Sequence, residues 1–307
     1  MILNYDLSKL HGWLFIDKPV GVSSFKAVST IKKYLNLPKT HKIGHGGTLD
    51  PFAEGVLPIA IGEATKTVEY VMNSDKVYEF TILFGSKTDT KDCEGNIIKT
   101  TDVIPTKENL IKILKDFTGT ILQKPPSFSA IKINGERAYS LARKGVDVDI
   151  PMRKVNIHSL ELKDFNDSFQ KATLVAKVSK GTYIRCLAED IAEKLGSLGH
   201  TVYLRRTEIC IHKEKLLLSL NTLYNEEYNI YDNLISIEDM LDGISAFSLN
   251  IAQAKDILNG NLSSLSLSFD GVFKSLYNGK VLALLENKNG KTSFLRVFNN
   301  NRANIGV

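Results

Sequence analysis

Asp50 sits in the run Gly44-His45-Gly46-Gly47-Thr48-Leu49-Asp50-Pro51-Phe52-Ala53-Glu54-Gly55-Val56-Leu57-Pro58, which places four glycines and two prolines around one aspartate. Such backbone takes paths that glycine follows most readily, and Pro51 pushes Asp50 out of helical geometry toward an extended conformation. A carboxylate mounted this way is a candidate reagent, although the same composition also describes an ordinary turn. Arg185 is a second candidate: it follows Lys180-Gly181-Thr182-Tyr183-Ile184 and falls in the first turn of a predicted helix. A cation there opposes the helix dipole, so a carboxylate partner would explain it; the alternative is a side chain reaching out to water. Tyr78 offers a phenol, but its strand spacing also suits a core aromatic.

Other chemistries find weaker support. His41 and His45 are four apart, the spacing of two metal ligands on a helix, but the glycines at 44, 46 and 47 disfavour a helix there, so no metal is expected. The acids between Thr88 and Gly95 resemble a calcium loop only loosely, since the closing bidentate Glu is missing. Cys93, Cys186 and Cys210 form no Cys-x-x-Cys pair, which suggests reduced thiols without a disulfide framework or zinc site.

The elements that must carry these residues follow from periodicity. Gly12 to Asp17 reads as a strand, and Ser23-Ser24 cap a helix with apolar Phe25, Val28, Ile31, Tyr34 and Leu35. Lys76 to Phe84 alternates as a strand with Tyr78, Phe80, Ile82 and Phe84 on one face. Thr106 caps a helix closed by Gly119. Gln123 to Lys154 reads as a basic excursion with one short helix ending at Gly145, long enough to wrap a partner. Ala172 to Ser179 is a strand, Leu187 to Leu195 a helix, and Val202 to Cys210 another strand. A leucine-rich region then leads to a capping pattern at Ser236, a short helix over Ala252 to Asn259, and a hairpin turning at Asn289-Gly290.

The 307 residues suit one sizeable domain with a small one, or a single large domain, of ordinary soluble composition, and the net charge of +5 permits a nucleic-acid partner without requiring it. No basic segment leads into a long apolar run at the N-terminus, and no stretch approaches the length of a membrane span, so a cytoplasmic protein is expected.

Taken together, Asp17 to Ser24, Gly44 to Pro58, Lys76-Val77-Tyr78, Gly85 to Gly95, Pro125 to Ala130, Lys180 to Arg185 and Leu204 to Thr207 resemble, in order, the TruB family of tRNA pseudouridine-55 synthases. The segment Asn134 to Gly145 resembles the insertion of its bacterial, stand-alone members. Cys210 departs from the family, which often has glycine at that position.

The resemblance implies an α+β pseudouridine-synthase fold, with a mixed, largely antiparallel sheet flanked by helices. It implies a catalytic domain over 1–235, a basic RNA-contacting insertion over 123–154, and a small strand-rich RNA-binding domain of PUA type over 236–307. The implied reaction breaks the bond from uracil N1 to the ribose, rotates the base and joins C5 to the ribose carbon. Asp50 matches the nucleophile; attack at the base, attack at the sugar and proton abstraction all fit an aspartate there. Arg185 matches the arginine paired with it, and Tyr78 the tyrosine stacked on the flipped base. His45, Tyr183 and Leu204 match contacts to the target nucleotide. Lys132, Arg143 and Lys144 are expected to meet RNA backbone. The implied partner is the T stem-loop of transfer RNA, approached by a monomer with no cofactor and no obligate protein partner. An RNA-binding protein that keeps the pocket without using it is a rival reading. A synthase working in a guide-RNA complex is another, disfavoured by the insertion.

Overall fold

The first strand, β1 (Gly12–Lys18), is apolar from Trp13 to Ile16 because both of its faces are covered. Leu14 and Ile16 join one buried cluster, whereas Trp13 and Phe15 join a second. In this computed structural model, residues 5–129, 131–133, 135–146, 149–210, 212–213, 217–220, 223, 229–265, 267, 269–300, 302 and 305 are described. Helix α1 (Ser24–Tyr34) starts at Ser23, whose side chain accepts from the Lys26 amide. It buries Ala27, Ile31 and Leu35, one residue per turn. Phe25, expected on that face, is instead 78 % exposed, because a stripe spaced by four residues turns it outward.

The chain continues through β2 (Ile43–His45), β3 (Glu54–Ile61), α2 (Val68–Asn73) and β4 (Lys76–Phe84). β4 buries Tyr78, Phe80, Ile82 and Phe84 in strict alternation. A small hairpin, β5 (Ser86–Thr88) and β6 (Ile97–Thr100), precedes α3 (Lys107–Leu114), which is capped by Thr106, and then β7 (Gly119–Gln123). The basic excursion holds β8 (Lys132–Ile133), β9 (Glu136–Arg137) and α4 (Ala138–Arg143). It is shorter than the sequence suggests. Gln123 ends β7, and Arg153 and Lys154 open β10 (Arg153–Asn166), where they pair with Gln123 and Leu122.

β11 (Lys171–Val178), α5 (Ile184–Lys194), β12 (Gly199–Ile209), β13 (His212–Lys213) and β14 (Leu218–Ser219) complete the main sheet. Its order is β14-β1-β3-β12-β4-β11-β10-β7, with β2 beside β3 and β13 beside β12. Pairing is antiparallel except at β1/β14 and β3/β12. The sheet is therefore mixed and mainly antiparallel, with α1, α3 and α5 packed into one core on one face. Residues 211, 214–216, 221–222 and 224–228 of the leucine-rich stretch before Ser236 lie outside the described residues.

Ser236 caps α6 (Ile237–Met240), followed by β15 (Ser245–Ser248), α7 (Ile251–Leu258), β16 (Gly271–Tyr277), β17 (Lys280–Lys288) and β18 (Lys291–Val297). The last strands and β15 form a separate four-stranded sheet. Val281, Leu284 and Phe298 from this region pack with Trp13 and Phe15, covering the second face of β1. β16 was not anticipated, although the β16–β17 turn carries Asn278-Gly279, both at positive φ like Asn289-Gly290. Among the described residues no helix is long and apolar enough to cross a membrane.

The parallel contact between β3 and β12 is confined to Arg205 opposite Glu54 and Arg206 opposite Gly55. Gly55 has φ of +101°, and an added Cβ would lie 2.3 Å from the Arg206 carbonyl oxygen. Gly55→Ala therefore adds both backbone strain and a clash, and should destabilise the protein by about 2–4 kcal/mol in urea unfolding.

Candidate active site

The loop carrying Asp50 leaves β2 and returns into β3, and neighbouring elements fasten it along its length. The Gly46 amide donates to the Pro58 carbonyl at 2.8 Å. Ser24 Oγ donates to the Leu49 carbonyl at 2.9 Å and accepts from the Leu49 amide at 2.8 Å, tying the residue before Asp50 to the start of α1. Lys18 is fully buried, and its Nζ donates to the carbonyls of Pro19, Val22 and Pro51 at 2.9, 2.7 and 3.3 Å. Burial lowers its pKa to about 8, with Asp50 pulling the other way. On the opposite side Arg206, also buried, donates from Nε to Val56 and from Nη2 to Gly47, at 2.8 and 3.0 Å.

Arg185 enters from α5. Ile184, Leu187, Ala188 and Ile191 bury this helix against the sheet, and the Tyr183 backbone before it is clamped at both polar groups by the Gln123 side chain. Arg185 is only 3 % exposed. Its Nε lies 2.9 Å from Asp50 Oδ2, and its Nη1 lies 3.3 Å from Asp92 Oδ2 and 2.9 Å from the Thr90 carbonyl. Nη2 donates to the Phe128 carbonyl at 3.0 Å. The guanidinium thus spans two carboxylates, which accounts for a cation at this helix start. Asp92, read in the sequence as part of a loose calcium-like loop, is committed to Arg185, to Thr90 Oγ1 at 2.6 Å and to the Glu94 amide at 3.1 Å.

A cleft of about 460 Å³ brings together Asp50, Arg185, Tyr78, His45, Tyr183 and Leu204. Tyr78 stands on β4 with its hydroxyl 3.5 Å from Arg206 Nη1, and Leu204 is buried on the neighbouring strand β12. Burial, reinforced by the Arg206 charge, lowers the His45 pKa and disfavours the charged imidazole; its buried Nδ1 has no hydrogen-bond partner among the described residues. His41 turns away to the Leu10 carbonyl and stacks on His11, so the two histidines of the spaced pair face different surroundings. Lys132, Arg143 and Lys144 lie outside the cleft on the exposed excursion, Arg143 over the Tyr139 ring and Lys144 paired with Glu136. The cations that do line it, besides Arg185, are Lys76, Arg137, Arg153 and Arg206. Arg153 lies 4.9 Å from the centre of the Tyr183 ring. Sequence reasoning missed Asp92, Lys18 and Arg206 as parts of the site; the alternation of Arg205 and Arg206 along one strand was the available signal for the last. Among the described residues no group of three or more His, Cys, Asp or Glu could hold a metal ion.

Comparison with known proteins sets this geometry in context. Residues 32–184 match the profile of the TruB family pseudouridylate synthase N-terminal domain. A protein of Zymomonas mobilis named tRNA pseudouridine synthase B is 43 % identical over 295 residues, covering 94 % of this chain and 96 % of that one. Its namesake from Rickettsia bellii is 45 % identical over 291 residues, covering 94 % and 98 %. A crystal structure of a Cbf5-Nop10-Gar1 complex contains a chain with a TM-score of 0.71 at 24 % identity, over 94 % of this chain and 85 % of that chain, which shows a shared fold.

Burial raises the Asp50 pKa, Asp92 adds to the rise, and Arg185 and Lys18 oppose it. Because the folded value is raised, ionised Asp50 costs stability at neutral pH, and that cost fades as pH falls through the folded pKa. Carboxyl NMR titration, with Asp50→Asn identifying the signal, should place its midpoint above the ordinary 3.8. Asp92→Asn should lower that midpoint, since it removes a neighbouring negative charge and leaves Arg185 to Asp50.

Proposed function

The chain belongs to the TruB family of pseudouridylate synthases, and from that membership we propose that it isomerises uridine 55 in the T loop of transfer RNA to pseudouridine. The observation that carries the reading is the 2.9 Å contact between Arg185 Nε and Asp50 Oδ2 in a cleft walled by Tyr78. In this reading Asp50, half-exposed at the cleft, is the nucleophile, and buried Arg185 keeps it charged and aimed. Covalent attachment divides one hard exchange into two displacements, so the uracil can turn before C5 rejoins the ribose.

Extracting the uridine from the T loop costs a few kcal/mol, and stacking on an aromatic ring returns about 1–3 kcal/mol per base. Tyr78 supplies that ring, with Leu204 and Tyr183 as further walls. His45, whose Nδ1 has no hydrogen-bond partner among the described residues, contacts the target nucleotide. The carboxylate and guanidinium supply the chemistry, so the enzyme acts as a single cytoplasmic chain without a cofactor or obligate protein partner. The catalytic part spans 1–235, and the 236–307 segment acts as a small PUA-like RNA-binding unit. Lys132, Arg143 and Lys144 on the 123–154 excursion meet phosphates around the stem.

Incubating the purified chain with an unmodified T-loop transcript should yield pseudouridine at a single position, detected chemically at unchanged mass. Asp50→Asn should abolish conversion while retaining binding; an inactive wild type, or an active Asn variant, overturns the assignment. Substituting Arg143 and Lys144 together by Ala should weaken transcript binding and flatten the slope of log K against log salt by up to about 1–2 units, read from binding at several salt concentrations.

A further inference from the structure

Behind the Asp50–Arg185 contact, the face of α5 that carries Arg185 also carries Glu189 and Glu193, each four residues further along the helix. Against this face lies the turn that follows β5. Asp92 meets Arg185 at 3.3 Å, Lys91 pairs with Glu189, and Lys87 sits 3.0 Å from Glu189 and 2.9 Å from Glu193. The charges are complementary in order along the two segments: Arg185, Glu189 and Glu193 on α5 face Asp92, Lys91 and Lys87. A slip of one helical turn would set Asp92 against Glu189 or Lys91 against Arg185, so the pairs admit one register.

Three details make this more than a solvated surface cluster. Glu189 is buried to the same degree as Arg185. Lys91 has φ of +66°, a left-handed conformation that residues with a Cβ adopt reluctantly, and its ammonium is tied to Glu189. The same turn supplies two of the groups that hold Arg185, namely the Thr90 carbonyl and the Asp92 carboxylate, while the Lys91 carbonyl accepts from Thr201 on β12. Asp190 and Cys186 also face Lys91 from α5. Neither Glu189 nor Lys91 lines the cleft.

We propose that Glu189, acting through Lys91 and Lys87, is a positioning residue for Arg185: it fixes the register of the turn on α5 and so sets how the guanidinium is shared between Asp50 and Asp92. This rests on the reading of the cleft as a uridine-isomerising site. Loosening the turn would let Asp92 and the Thr90 carbonyl drift from Arg185, tilting the guanidinium and misaiming the Asp50 carboxylate.

The test compares Glu189→Gln and Lys91→Met with wild type, using single-turnover conversion of the T-loop transcript, KM, thermal melting and the Asp50 carboxyl titration. Lys91 lies at the edge of the cluster, so its variant keeps the test open if Glu189→Gln fails to fold. The expected result is a fall in kcat of roughly ten- to a hundredfold, KM within about twofold, and a lowered Asp50 midpoint as Asp92 leaves and Arg185 turns wholly to Asp50. Lys91→Arg, which keeps the ion pair, should restore most of kcat. A lower melting temperature with wild-type kcat and an unmoved Asp50 midpoint would overturn the proposal, leaving the cluster a stabilising one only. An inactive wild type would count against the functional reading, and the Asp50 midpoint would still decide whether Glu189 controls the register.

Discussion

A buried guanidinium shared by two carboxylates is the constraint around which this site is built. Removing one member of a buried ion pair typically costs about 3–5 kcal/mol, because the remaining charge is left without a partner in a poorly solvated place. Arg185 avoids that cost through contacts on each of its nitrogens: Asp50 on Nε, Asp92 and the Thr90 carbonyl on Nη1, and the Phe128 carbonyl on Nη2. These partners come from three separate stretches of chain, so the β2–β3 loop, the turn after β5 and the entry to the basic excursion must all converge on α5. The planar fork suits this geometry, and a lysine could not reach the same set from one point charge.

Two further buried cations, Lys18 and Arg206, serve the loop rather than the carboxylate directly. Lys18 holds it from the α1 side through the Pro51 carbonyl, and Arg206 holds it from the β12 side through Gly47 and Val56. Arg206 can do so because β3 and β12 run parallel at that one point, where Gly55 permits the backbones to approach. Loop, strand junction and helix start therefore form one mechanical unit, and Asp50 is held from the residues on either side of it.

Much of this was legible from sequence where a local rule governs. Ser23, Thr106 and Ser236 cap helices as their side chains suggest, and the alternation over β4 placed Tyr78 correctly. The cation at the start of α5 pointed to a carboxylate partner on dipole grounds. What escaped was decided at long range. Lys18 and Arg206 are polar residues whose burial depends on carbonyls supplied by distant segments, and Asp92 was hidden among acids that looked like a surface turn. Phe25 was assigned inward because helical spacing admits two adjacent stripes, and packing chose the one through Ala27 and Ile31. Cys210, where the family often has glycine, takes φ of +58°, which explains why glycine suits that position. The turn still forms, with the Cys210 amide donating to the Asp75 carbonyl at 3.3 Å and Sγ near Ser74 Oγ at 3.0 Å.

The charge arrangement also reconciles two opposing demands on the cleft. In the proposed reading a nucleophilic Asp50 must stay ionised where a polyanionic substrate approaches, yet Asp50, Arg185 and Asp92 together carry a net negative charge that would repel phosphate. Arg137 and Arg153 line the walls around that cluster, whereas Lys76 and Arg206, also in the lining, are buried and bonded to backbone carbonyls. Arg137 and Arg153 are placed to meet phosphate without displacing Arg185, whose nitrogens are already occupied by protein partners. Keeping the aiming charge buried and the receiving charges on the walls lets one small cleft hold both functions, with the split enforced by burial.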